Sequence, residues 1–171
     1  MAYSVTEPKL EHCNRQPYVG IRTQVPMREL PTIIPQYIGE VIAWLNQQGV
    51  KPDGPPLVRY HACPTIPGPD AMLDITVGWP VTAPLTGNRH IVADALPAGR
   101  YASLVYTGVE NGVKGNGVLI NWAAAQGIEW DHWDVPAGEG FQGRVEYMID
   151  GPDDDPDPGN WKTEVAIKLA D

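Results

Sequence analysis

Ala43-Trp-Leu-Asn-Gln-Gln-Gly-Val50 and Asn121-Trp-Ala-Ala-Ala-Gln-Gly-Ile128 are two versions of one helix ending, and their likeness decides how the chain is read. Trp44 falls over Trp122 and Gly49 over Gly127. Leading into the first stretch, Ile34, Ile38, Val41 and its own Leu45 recur at intervals of four, three and four residues. That spacing lays one apolar stripe along a helix, predicted over Thr32–Gln48. Gly49 stands where a left-handed C-terminal cap is wanted, and Pro35 is acceptable only in the first turn. The second stretch predicts a helix over Val113–Gln126, with Leu119, Trp122 and Ala123 inward and Gly127 as the stop. Gly112, Gly115 and Gly117 weaken its start, because glycine disfavours helix.

Outward from these helices the pattern turns to strands. His12–Val25, Leu57–Cys63 and Met72–Val81 surround the first helix. His90–Thr107, bent near Leu96–Arg100, Arg144–Ile149 and Trp161–Leu169 surround the second. Val58-Arg-Tyr60 parallels Val145-Glu-Tyr147, and Asp74-Ile-Thr-Val77 parallels Glu164-Val-Ala-Ile167. From Gly49 to Val58 is nine residues and from Gly127 to Val145 eighteen, so about nine are added within Glu129–Gln142. A match in both order and sequence is the signature of an internal repeat. The fold class is therefore α+β: a tandem, pseudo-symmetric β-α-β-β repeat, about 10–82 and 88–170, in a single domain over 1–171.

The last two strands alternate with period two, as strands buried on one face do. Val145, Tyr147 and Ile149 share a face, with Glu146 and Met148 opposite. Val165, Ile167 and Leu169 share another, with Glu164 and Ala166 opposite. Both carboxylates, Glu146 and Glu164, are expected to point away from the obvious core.

Composition closes off several function classes. Twelve basic against twenty-one acidic residues give a net charge of −9, and no basic stripe interrupts it. The phosphate-neutralising term that drives nucleic-acid binding is missing, so direct nucleic-acid contact is not expected. No apolar run reaches membrane-spanning length and Met-Ala-Tyr-Ser-Val lacks an export signal, which predicts a cytoplasmic protein without membrane contact. Cys13 and Cys63 are then reduced thiols without metal-ligand spacing. His132, between Asp131 and Asp134, lacks the helical pair or cysteine partners of a zinc site, and His12, His61 and His90 are scattered. The five aspartates of Asp150–Asp157 lack the closing glutamate of a calcium loop and read as a solvated hairpin turn. No metal is expected. No glycine-rich phosphate cradle or G-x-S-x-G elbow appears, so no cofactor is expected either.

Seven blocks occur in an order that resembles the GyrI-like family, the effector-binding domains also found at the C-termini of AraC-type and multidrug-responsive MerR-type regulators. They are Gly54-Pro-Pro-Leu-Val-Arg-Tyr60, Leu73-Asp-Ile-Thr-Val-Gly-Trp-Pro-Val81, Leu96-Pro-Ala-Gly-Arg-Tyr101, Tyr106-Thr-Gly108, Val145-Glu-Tyr147, Asp157-Pro-Gly-Asn-Trp161 and Thr163-Glu164. The resemblance implies an SHS2-like arrangement: two units side by side in an antiparallel sheet, two helices on one surface and a ligand groove between the repeats. No stretch reads as a helix-turn-helix, so a standalone member is expected.

The resemblance also implies a pocket carboxylate at Glu146. In an aromatic groove an ionised carboxylate attracts a cationic ligand, and each aromatic face adds roughly 0.5–2 kcal/mol of cation–π attraction. Tyr60, Trp79 and Tyr106 are groove candidates near strand ends. Tyr18 is another, sharing its strand face with Arg22. Trp133, with Trp130 in the added stretch, is a candidate wall or lid, whereas Trp44 and Trp122 suit the core. The first functional reading is a binding module for hydrophobic, cationic aromatic small molecules. The alternative is a hydrolase opening the cyclopropane ring of DNA-alkylating natural products, with Glu146 as acid or base and Tyr106 assisting. The third is a protein-interaction inhibitor of the gyrase-inhibitor type, its acidic surface facing a basic protein partner.

Overall fold

Both quoted stretches end a helix in the same way. In the computed structural model, which describes residues 3–171, α1 runs Leu30–Gln47 and α2 runs Gly112–Ala125. Beyond α1 the Val50 N–H donates to the Leu45 carbonyl at 3.0 Å and the Gly49 N–H to Asn46 at 3.1 Å. Beyond α2, Ile128 donates to Ala123 at 2.9 Å and Gly127 to Ala124 at 3.2 Å. Both glycines have a φ of +70°, the left-handed conformation that this Schellman pattern requires and that a Cβ disfavours. α1 begins two residues earlier than its stripe predicts, directly after a 3-10 turn at Met27–Glu29. Pro35 therefore falls in the second turn, where its missing N–H forfeits the bond to Pro31.

The strands are β1 (Lys9–Cys13), β2 (Gln16–Pro26), β3 (Leu57–Pro64), β4 (Met72–Pro80), β5 (Val92–Leu96), β6 (Gly99–Thr107), β7 (His132–Val135), β8 (Gly138–Phe141), β9 (Arg144–Met148) and β10 (Lys162–Lys168). They form one antiparallel sheet in the order β1-β6-β10-β9-β3-β4-β2-β5, with the β7–β8 hairpin attached to the end of β3. Two strands expected to be continuous are each divided. His12–Val25 contains part of β1 and nearly all of β2, and His90–Thr107 breaks into β5 and β6. The short pieces travel to opposite ends of the sheet: β1 pairs with β6, and β5 pairs with β2. Read inward from either end, the order is a short strand from the other half of the chain, a long strand, the final strand of that half, and a central strand. The two sides meet at the β3–β9 pair.

Both helices lie on one face of the sheet. Val41 and Leu45 of α1 pack on Val19, Ile21 and Val81, and the start of α1 packs on Val58, Ile75 and Val77. Leu119 of α2 packs on Ala102, Leu104, Val165 and Ile167. Leu45 and Leu119 are fully buried, each contributing about 1.5–3 kcal/mol by the area it removes from water. The other face has a smaller core of Tyr18, Leu57, Leu96, Tyr101, Val145 and Ala166. The middle of the sheet is thus apolar on both sides. This corrects the expectation for the two carboxylates: Val165 and Glu146 are register partners on the helix side, while Glu164 is paired with Tyr147 on the other.

The added stretch Glu129–Gln142 forms the β7–β8 hairpin. β8 pairs with Ala62, Cys63 and Pro64 at the end of β3, so the insertion widens the sheet. A bulge in β3 between Tyr60 and Ala62 precedes it. Such an extra residue re-aims the strand. Tyr60 and Cys63 pack on the helix side, whereas His61 and Ala62 line the opposite face. Among the described residues no helix is long and apolar enough to cross a membrane, and Cys13 and Cys63 are free thiols.

Candidate ligand-binding site

Glu146 lies in β9 between Val58 of β3 and Val165 of β10. Both neighbours belong to the helix-side cores, so the carboxylate points toward the helices at the centre of the sheet. The residue is only 8% exposed. Tyr60 Oη donates to its Oε1 and Tyr106 Oη to its Oε2. Tyr60 comes from the adjacent strand, while Tyr106 reaches diagonally across β10 from β6. Burial, reinforced by the negative charge of Glu146, pushes both phenols well above the usual tyrosine range. They therefore remain protonated donors. A carboxylate has about four lone-pair directions, so two tyrosines leave acceptor capacity.

The first turns of α2 cover this arrangement. A Cβ at Gly115 would stand 2.5 Å from Tyr106 Cδ1 and 2.7 Å from its Cγ, and one at Gly112 would touch the hydroxyl at 3.4 Å. Of the glycines that weaken the helix in sequence, Gly115 is the one that lets it lie on the Tyr106 ring, while Gly112 stands at ordinary contact distance from the hydroxyl. Their spacing of three, which places both on one helical face, was the available signal. No ion pair among the described residues includes Glu146. Arg144, on the same face of β9, turns instead to Asn116 Oδ1 at 2.9 Å and to the Phe141 ring at 4.7 Å.

Of the aromatic candidates, the structure gathers Tyr60 and Tyr106 on Glu146 and distributes the rest. Trp79 is on the helix side, but its indole N–H donates to the Ile38 carbonyl at 3.0 Å and its ring packs with the α1 core. Tyr18, expected in the groove, lies on the opposite face, 1% exposed, where its Oη accepts from Arg59 Nη1 at 3.0 Å. Trp133, expected as a groove wall or lid, also lies on that opposite face, because the pairing of β8 with β3 fixes the side on which β7 presents it. The parallel of Val58-Arg-Tyr60 with Val145-Glu-Tyr147 sets Arg59 over Glu146, yet their side chains lie on opposite faces. A one-residue slip reverses every side chain of a strand.

The GyrI-like small molecule binding domain matches residues 6–170, nearly the whole chain, and the protein belongs to this family. No curated protein matches its sequence. Among solved structures it is similar to the isolated C-terminal domain of EcmrR, with a TM-score of 0.71 and 17% identity over 99% of this chain and 98% of that one. In the EcmrR–DNA complex the likeness has a TM-score of 0.69 and 16% identity, over 98% of this chain and 57% of that one. The chain thus spans little more than half of that regulator. SAV2435 bound to tetraphenylphosphonium is similar with a TM-score of 0.55 and 13% identity, over 96% and 94% of the two chains. A hydrolase from Listeria innocua has a TM-score of 0.59 and 10% identity, over 95% and 91%. At these identities the likeness is one of fold.

Proposed function

We propose that the protein binds hydrophobic, cationic aromatic small molecules, with Glu146 as the counter-charge and Tyr60 and Tyr106 as its supports. The observation that carries this reading is the buried Glu146 carboxylate with two hydroxyl donors and, among the described residues, no cationic side chain paired to it. A charge held out of water without a partner is costly. A ligand cation would offset that cost, and an aromatic body would bury against Tyr60, Tyr106 and α2. With Glu146 and Tyr106 this enclosed, ligand entry requires α2 or the tyrosine rings to give way. Binding is then accompanied by a change in the near-ultraviolet signal of the tyrosines.

Calorimetric titration with tetraphenylphosphonium and with neutral triphenylphosphine oxide tests the reading. The cation is expected to bind more tightly. Glu146→Gln should weaken it roughly tenfold to a hundredfold while leaving the neutral compound nearly unchanged. Equal losses for both compounds, or no binding of either, would sink the proposal. A cyclopropane-bearing alkylator belongs in the same panel. Its conversion to a water adduct at catalytic turnover, abolished in Glu146→Gln, would replace binding by hydrolysis as the role of this carboxylate.

A further inference from the structure

The face of the sheet without helices holds a different arrangement of charge. Arg59, in β3, is 8% exposed. Its Nη1 donates to Tyr18 Oη and to the Ala95 carbonyl, both at 3.0 Å, and its Nη2 to the Gln142 carbonyl at 3.0 Å. Its Nε–H has no acceptor among the described residues. Among the described residues, the one carboxylate in ion-pair range of it, Asp94, is 3.4 Å away on a side chain that is 56% exposed. This buried guanidinium is held mainly by neutral oxygens, and its ion pair to Asp94 is long and reaches it from a half-exposed side chain.

Arg59 lines a cavity of about 240 Å³ together with Arg22, His61, Asp74, Trp133 and Phe141. Arg22 clamps Asp74 through Nε and Nη2 at 3.0 and 2.9 Å. The lining carboxylate is therefore already taken at both oxygens, while Arg22 keeps its other amino group. Burial, then the two arginines, pulls His61 down to about 4, so at neutral pH its ring is uncharged. Trp133 is 47% exposed. Its indole packs against Gly140, where a Cβ would come within 2.4 Å of the ring. The cavity thus joins two guanidinium groups, one satisfied carboxylate and an exposed aromatic plate, in a protein whose net charge is −9.

We propose that this cavity is a second ligand site, for a planar organic anion of the aromatic carboxylate class, whose ring stacks on Trp133 and whose carboxylate faces Arg22 and Arg59. Guanidinium forks match carboxylate geometry and are weakly hydrated, which suits them to such a contact. Asp94 is the built-in competitor, since it approaches Arg59 from the same face. The site is separated from Glu146 by the thickness of the sheet and depends on none of its residues.

The test uses 2-naphthoate and its neutral counterpart 2-naphthamide, titrated into the full chain by calorimetry with tryptophan fluorescence as a second readout. Naphthoate is expected to bind and the amide to bind at least tenfold more weakly. Arg22→Gln, at a half-exposed position, should cost naphthoate about tenfold, and Asp94→Asn should tighten it about threefold by removing the competing charge. Trp133→Leu should weaken both compounds. Glu146→Gln and saturating tetraphenylphosphonium should leave naphthoate binding unchanged. Naphthoate affinity unmoved by both Arg22→Gln and Asp94→Asn would overturn the proposal. So would its loss in Glu146→Gln, or the lack of saturable binding at millimolar concentration.

Discussion

Arg59 and Glu146 sit on neighbouring strands one register step apart, since Arg59 is opposite Val145 and Glu146 opposite Val58. They never meet. Glu146 faces the helices between two phenols, and Arg59 faces away from them among carbonyls and Tyr18. A shift of one residue would bring the two charges to the same side, where they would neutralise each other. The observed register instead leaves each face with a buried charge that the protein itself only half satisfies. The difference teaches that a sheet with two apolar faces can keep opposite charges apart across a few ångströms of backbone. On the two proposals made above, each side would select a ligand of opposite sign.

The contrast can be broken most strongly at Arg59. Arg59→Met strands Tyr18 Oη and two carbonyls in the interior and should cost about 3 kcal/mol in urea unfolding. Glu146→Gln keeps an amide oxygen for the tyrosines and should cost less than about 1 kcal/mol. Equal costs would mean that the two charges are not held differently. Next in size is Gly115→Ala. Its methyl group would press on the Tyr106 ring, so α2 must lift or tilt, for a loss of roughly 1–3 kcal/mol that a thermal melt reads.

The open face should also carry a pH signature. His61 has a folded pKa of about 4, against about 6.5 when unfolded. A depressed pKa means that the unfolded chain takes up the proton first. The stability contributed by neutral His61 is therefore complete above about pH 6.5 and declines as pH falls toward 4. Melting temperature measured from pH 7 to pH 4 should fall less steeply in His61→Gln than in the parent. The smallest expected effect is a gain. A Cβ at Gly117 meets nothing within 4 Å, so Gly117→Ala should add about 0.5–1 kcal/mol through helix propensity alone. Set beside Gly115→Ala, it separates the glycine needed by Tyr106 from one that is not.

What could be read in the sequence was the part fixed by near neighbours. Gly49 and Gly127 announce the helix ends because a Schellman cap is completed within a few residues of chain. Strand alternation draws out Glu146 and Glu164 alike, and it is the family resemblance that selects Glu146 and sets Tyr60 and Tyr106 among the groove candidates. The side of the sheet was harder to see. Alternation in Val145, Glu146 and Tyr147 marks two faces but does not say which one the helices cover, and here both are buried. The bulge after Tyr60 and the partner chosen by β8 decide where Trp133 goes, and neither has a local signal. Tyr18 was misplaced for the same reason: its parity along β2 was correct, but its face was not the one that holds Glu146. The crossing of β1 and β5 depends wholly on pairing with distant strands.

That crossing has a consequence for the chain as a whole. A cut in the 81–91 connection between β4 and β5 would give two fragments, each carrying a strand whose partner is in the other. β1 would leave with the first fragment and β5 with the second, exposing the long strands they cover and inviting unwanted pairing at those edges. Each half of the chain thus supplies the edge strand that covers the long strand of the other, and neither edge is closed until both halves are present.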